Sequence, residues 1–180
     1  MGGAAIPVGD YGGTTGSNAG FADIGYFSMV EVSKNFNSTI SWTTSLSLAI
    51  NGFDKNAMRK TIAPLGITTE SYKSCWGMTG IRLQTSFSHE IKFYGQGQIG
   101  FLSINYPVIM VSYNGFPQLQ PTASGPVLAL GIGVGLIANN INIGLRFLNS
   151  SPKHIEDSGI RYSTIKLPVS ILQVVVGYNI

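Results

Sequence analysis

Only two histidines stand among the 180 residues, His89 and His154. For hydrolysis a histidine needs a serine whose proton it can take and an acid that orients its ring. His154 has Ser150 and Ser151 before it and Glu156 and Asp157 after it. A Ser–His–acid site here would require the segment to fold back on itself, and a serine this near a histidine is common by chance. The same "HIED" run offers metal ligands, but a solvated loop is the plainer reading. The single Cys75 can form neither an internal disulfide nor a cysteine-based metal cluster. "GIGVG" at 131–135 is superficially like a nucleotide fingerprint, yet it lacks the third glycine and the strand-to-helix context. No catalytic residue, metal or cofactor is expected.

A different set of residues is better placed to act together. Lys and Arg number 11 and Asp and Glu 8. Most of them fall near loops, turns or segment ends. Only Glu31, Arg82 and Arg146 lie well inside segments of alternating hydrophobicity, each on the face opposite the large apolar residues. If those faces enclose an interior, the charges must be paired and hydrogen-bonded there. Glu31 is expected to pair with Arg82, Arg146 or both, helped by Gln84, Gln96, Gln98 and Gln173. The glycines at 131, 133 and 135 would make room for the arginine side chains. Such a cluster could serve as a gate or proton path; a structural filling of the interior is the simpler reading.

The elements that carry these residues read as strands, because apolar and small polar residues alternate with period two from end to end. Eight segments are expected, at 2–9, 22–34, 39–52, 73–87, 92–106, 125–139, 140–149 and 162–180. In "ISWTTSLSLAI" (40–50), Ile40, Trp42, Leu46, Leu48 and Ile50 share one face, while Ser41, Thr43, Ser45, Ser47 and Ala49 share the other. Connections are short at "KNFNST", "SHEI" and "NN" and long at 10–21, 54–72, 107–124 and 150–161, the rhythm of an outer-membrane barrel. The second long connection could hold a helix capped by Asp54 and stopped before Pro64.

Composition points the same way. Charged residues make up 11%, against roughly 25% in an ordinary soluble domain, while 23 residues are glycine and mean hydropathy is only +0.22. The longest nearly apolar run, 125–138, is too short and too glycine-rich for a spanning helix. Strands of about ten residues at about 3.3 Å each, tilted by about 40°, rise to the height of a barrel's apolar band. No signal peptide is visible at "MGGAAIPVGD", so in an exported chain Met1 would mark a processed or recombinant start. The net charge of +3 is small and scattered, and argues against nucleic acid. The expected fold is therefore all-β: one domain over 1–180, an eight-stranded antiparallel up-and-down transmembrane barrel with short periplasmic turns and long extracellular loops.

Reading back from the C-terminus, Ile180, Tyr178, Val176, Val174 and Leu172 alternate as an apolar face. This resembles the assembly signal that outer-membrane barrels present to their insertion machinery, although Ile180 stands where that signal usually has Phe. "AAIPVGDYG", "NGFDKNAM…TTESYKSCWGMTG" and "LPVSILQVVVGYNI" are similar to segments of the small outer-membrane β-barrel family of Bacteroidetes-type bacteria. The resemblance covers nearly the whole chain and implies an OmpA- or OmpX-like barrel in the outer membrane of a Gram-negative cell envelope. It implies no single activity.

Within that class the expected function is non-enzymatic: a barrel with a filled polar interior, acting through its loops or wall in adhesion, surface stability or a larger envelope complex. A small-solute pore is the alternative, although eight strands rarely leave an open lumen. A lipid A deacylase-like enzyme would have to use His154, because His89 falls on the short-turn side. A soluble lipocalin-like binder would want an apolar interior and a charged exterior, the reverse of this pattern. Expected partners are outer-membrane lipid, lipopolysaccharide phosphates touched by Lys55, Arg59, Lys60 and Lys73, the insertion machinery and other envelope proteins. Tyr26, Trp42, Phe93, Tyr106, Phe147, Tyr162 and Tyr178 are expected in aromatic girdles. Trp76 is expected inside or at the outer rim.

Overall fold

The structure, a computed structural model, describes residues 1–16, 19–62, 66–86, 91–107, 109–112, 124–157 and 162–178; at 61, 62, 66, 67, 86, 109–112, 124, 153–157 and 162–166 it describes the backbone alone. In chain order the elements are β1 (Gly2–Val8), a 3-10 turn at Gly9–Tyr11, β2 (Ala22–Asn35), β3 (Ile40–Phe53), α1 (Lys55–Ile62), β4 (Gly66–Thr69) and β5 (Tyr72–Ser86). They continue with β6 (Ile91–Asn105), β7 (Ile109–Ser112), β8 (Ser124–Ala138), β9 (Ile141–Ser150), β10 (Lys153–Asp157), β11 (Tyr162–Lys166) and β12 (Val169–Tyr178). Eight of these close into a barrel in the order β1-β12-β9-β8-β6-β5-β3-β2, every pair antiparallel. Each wall strand adjoins the next wall strand in sequence, so the topology is up-and-down.

The short connections carry their own turn chemistry. At 36–39 the Asn37 side-chain oxygen accepts from the amides of Thr39 (2.8 Å) and Ile40 (2.7 Å). At Asn139–Asn140 the first residue takes φ +53°, a left-handed conformation that asparagine tolerates. At the other rim Asp54 caps α1, its carboxylate accepting from the Ala57 amide at 2.8 Å, and Met58 on the helix is buried.

The sequence reading needs two corrections here. The expected strand at 162–180 is two strands: β11 pairs with β10 in a loop hairpin, and only β12 belongs to the wall. Pro168 lies between them and has no amide hydrogen to continue a ladder. The long connections also hold a second small pair, β4 with β7, whose four-residue strands are too short to show alternation.

Alternation sorts the wall into two faces. On β3, Ser41, Thr43, Ser45, Ser47 and Ala49 are buried in the lumen, while Trp42, Leu46 and Leu48 are exposed. The other wall strands present Val30, Val32, Leu83, Ile99, Phe101, Leu130, Ile132 and Leu145 outward. The lumen itself has two halves. Toward the short turns it is polar, as expected. Toward the long connections it is apolar, filled by Trp76, Leu102, Ile104, Leu148, Val169 and Ile171. The filled polar interior expected from the sequence thus describes one half: along β6 the glutamines give way, on the same face, to Leu102 and Ile104.

Candidate functional site

One row of cross-strand partners carries the polar half. Ser41 faces Arg82, Arg82 faces Gln96, Gln96 faces Gly133, Gly133 faces Arg146, and Arg146 faces Gln173. All but Gly133 have side chains in the lumen, since each occupies the inward parity of its strand. Arg82 donates through Nη2 to Glu31 Oε1. It also donates from Nε (3.0 Å) and Nη2 (2.6 Å) to Gln96 Oε1. Its guanidinium lies 4.2 Å from the centre of the Tyr94 ring. From there the network runs on. Gln96 Nε2 donates to Gln98 Oε1 at 3.3 Å, Gln98 Nε2 to Thr43 Oγ1 at 3.2 Å, and Tyr94 to Asn142 Oδ1 at 2.9 Å.

Arg146 is 2% exposed and joins this network by a different route from the one expected. Its Nη2 donates to Gln98 Oε1 (2.6 Å) and Ser45 Oγ (2.9 Å), and its Nη1 contacts the Met29 sulfur. Glu31 pairs with Arg82 alone among the described residues. Sequence parity assigns a side chain to a face, whereas its height depends on the tilt and stagger of a closed barrel. Gln84 lies outside the cluster and donates to the Ser38 carbonyl at the turn rim, 3.4 Å away. Gln173 is fully buried, and its amide atoms have no hydrogen-bond partner among the described residues.

Glycines make the space these side chains use. A Cβ on Gly133 would sit 3.1 Å from both Arg146 Cγ and Gln96 Cγ, and one on Gly144 would sit 2.5 Å from the Tyr94 hydroxyl. The sequence reading missed Tyr94, Met29 and Asn142. Tyr94 shares the parity of Gln96 and Gln98, a signal that was there to be followed.

The two ends of the lumen differ. At the short-turn end a vestibule of about 690 Å³ opens onto Glu31, Ser41, Arg82, Gln84 and Lys92. At the long-connection end, aromatic rings form a lid. Tyr11 meets Tyr72 edge-on at 5.1 Å, Tyr72 meets Tyr106 at 6.0 Å, and Phe53 stacks on Tyr72 at 6.2 Å. The Tyr72 hydroxyl donates to the Gly20 carbonyl at 2.6 Å. Burial pushes the Tyr106 phenol up to about 12 and the Tyr11 phenol higher still, the latter raised further by Tyr72 and Tyr106. Tyr106 therefore leaves the expected girdle, and Trp76 lies inside, buried among the apolar residues. Tyr26, Trp42, Phe93, Phe147 and Tyr178 do point outward. The side chain of Tyr162 lies outside the described residues.

The remaining candidates separate. Lys55, Arg59 and Lys60 are exposed on α1 and Lys73 is exposed near the same rim at the start of β5. On β12, Val176 and Tyr178 are exposed and Leu172 and Val174 half-buried, all of one parity; Ile180 lies outside the described residues. His89 lies outside them as well, and so do the side chains of His154, Glu156 and Asp157. Among the described residues no group of three His, Cys, Asp or Glu side chains is placed to hold a metal.

An apolar outer wall and a closed strand order decide the class of fold. The chain is a transmembrane β-barrel of eight antiparallel strands. It superposes on the crystal structure of Neisserial surface protein A with a TM-score of 0.51 at 12% identity, covering 96% of this chain and 88% of that one. It also matches the structure of Ail, the attachment invasion locus protein of Yersinia pestis, with a TM-score of 0.47 at 18% identity over 98% of this chain and 93% of the other. No protein-family model matches the chain, and no curated protein does.

Proposed function

We propose that this protein sits in the outer membrane of a Gram-negative cell and works without catalysis, through its long connections and rim, as a surface or adhesion protein or as a subunit of a larger envelope complex. The observation that carries this reading is the lumen. Trp76, Arg146, Leu148 and Ile171 are fully buried within it and an aromatic lid covers its loop end, so little space remains for a solute to pass. What is left to meet other molecules is the rim, where Lys55, Arg59, Lys60 and Lys73 offer cations to lipopolysaccharide phosphates or an acidic partner. The face of Leu172, Val174, Val176, Tyr178 and Ile180 serves as the signal read by the insertion machinery. Kinship with the Bacteroidetes-type barrel family belongs to the same reading.

The vestibule at the turn end favours a second reading, a small-solute pore. Single-channel recording in planar bilayers separates the two. The filled barrel gives no steady large conductance, whereas a pore conducts continuously. A lipid-modifying activity through His154 ranks behind both; His154→Ala is expected to leave lipid A unchanged by mass spectrometry.

A further inference from the structure

The charges in the lumen do not balance. The polar half holds two arginines and one glutamate, and the glutamate gives its Oε1 to Arg82 while its Oε2 has no partner among the described residues. Arg146 has no carboxylate within ion-pair distance among the described residues. A buried charge is ordinarily paired, because leaving water costs it far more than neutral hydrogen bonds return. Polar atoms of this guanidinium and of its cross-strand neighbour on β12 are also left without partners. Arg146 Nε has none, and its Nη1 meets only the Met29 thioether, a weak acceptor. Gln173, the cross-strand partner of Arg146 on β12, has an unpartnered and fully buried amide.

We propose that the lumen holds one small monovalent anion, of the halide class, against Arg146 and Gln173. Arg146 Nη1, which meets only a thioether, and the unpartnered Gln173 amide each bring an N–H donor, and a ligand that only accepts satisfies both at once. The Gln173 amide can turn its nitrogen to the ion and its carbonyl toward Arg146 Nε. Water would satisfy the donors and leave the excess positive charge in place. A divalent oxyanion would overshoot that charge and needs room that an eight-stranded lumen lacks. The vestibule supplies the route, since Met29, which touches Arg146, lines it.

The test uses the whole barrel in detergent. Thermal unfolding is followed as bromide replaces gluconate over a hundredfold range at constant ionic strength. A ligand bound only by the folded state raises the melting temperature by mass action, so the unmodified protein is expected to melt progressively higher. Arg146→Met and Gln173→Leu are expected to lose that dependence. Crystals of the unmodified protein grown in bromide give a readout that needs no variant: an anomalous peak beside Arg146 is expected. A flat melting response in the unmodified protein, an undiminished response in Arg146→Met, or bromide peaks only elsewhere overturns the proposal.

Discussion

Replacing Glu31 by glutamine keeps the shape of the side chain and an oxygen that Arg82 can use, and removes the only acid among the described lumen residues. Arg82 then keeps Gln96 Oε1 and the face of Tyr94, but two buried cations remain with no counter-charge from the protein. Breaking a buried ion pair from one side costs about 3–5 kcal/mol. The retained contacts and the water of the vestibule place Glu31→Gln at the low end, about 3 kcal/mol. For a chain of this length each kcal/mol shifts melting by about 2–4 °C, so a fall of about 6–12 °C is expected. The assay is the loss of β-sheet circular dichroism on heating in detergent, checked by the mobility difference between folded and boiled protein in gels. The double variant Glu31→Gln/Arg82→Met removes the stranded charge with its partner and should recover most of the loss. A Glu31→Gln variant that melts within about 2 °C of the unmodified protein, or a double variant no better than the single, would refute the pairing argument.

Leu130 is 56% exposed at mid-wall, beside Ile99 on the neighbouring strand. Leu130→Arg should cost about 2–4 kcal/mol of folding stability in bilayers, read by urea titration of vesicle-inserted protein, if that face meets lipid. Alkaline pH should loosen the lid: unfolded tyrosine ionises near 10, whereas Tyr106 is pushed up to about 12. The folded state thus keeps a proton that the unfolded state has lost, so stability falls as pH rises from about 10 to about 12. Melting curves across that range should show the fall, and Tyr106→Phe should lessen it.

The wall strands are legible in the sequence because one residue of slip would turn every Leu and Ile of a strand from lipid to lumen. That rule alone assigns Ser45, Gln96 and Arg146 to the inside. It does not give height. Whether Glu31 meets Arg82 or Arg146 depends on the stagger of the closed barrel, which no single strand encodes. The same parity, followed from Gln98 through Leu102 to Tyr106, would have shown both the apolar half of the lumen and the inward turn of Tyr106. The loop strands β4, β7, β10 and β11 were hidden for another reason: each is four or five residues long, too short for alternation to mark it. Nothing in the sequence marks Arg146 as lacking a carboxylate, because that fact belongs to the assembled lumen.

The two tryptophans give the most direct test of which face meets lipid. Trp42 is 49% exposed on the outer wall, and Trp76 is 0% exposed inside. In vesicles whose acyl chains carry bromine, a quencher that acts at contact, fluorescence of the Trp76→Phe variant, which keeps Trp42, is expected to be strongly quenched. The Trp42→Phe variant, which keeps Trp76, is expected to stay bright. Equal quenching of both, or quenching of Trp76 alone, would contradict a lipid-facing outer wall around a filled lumen.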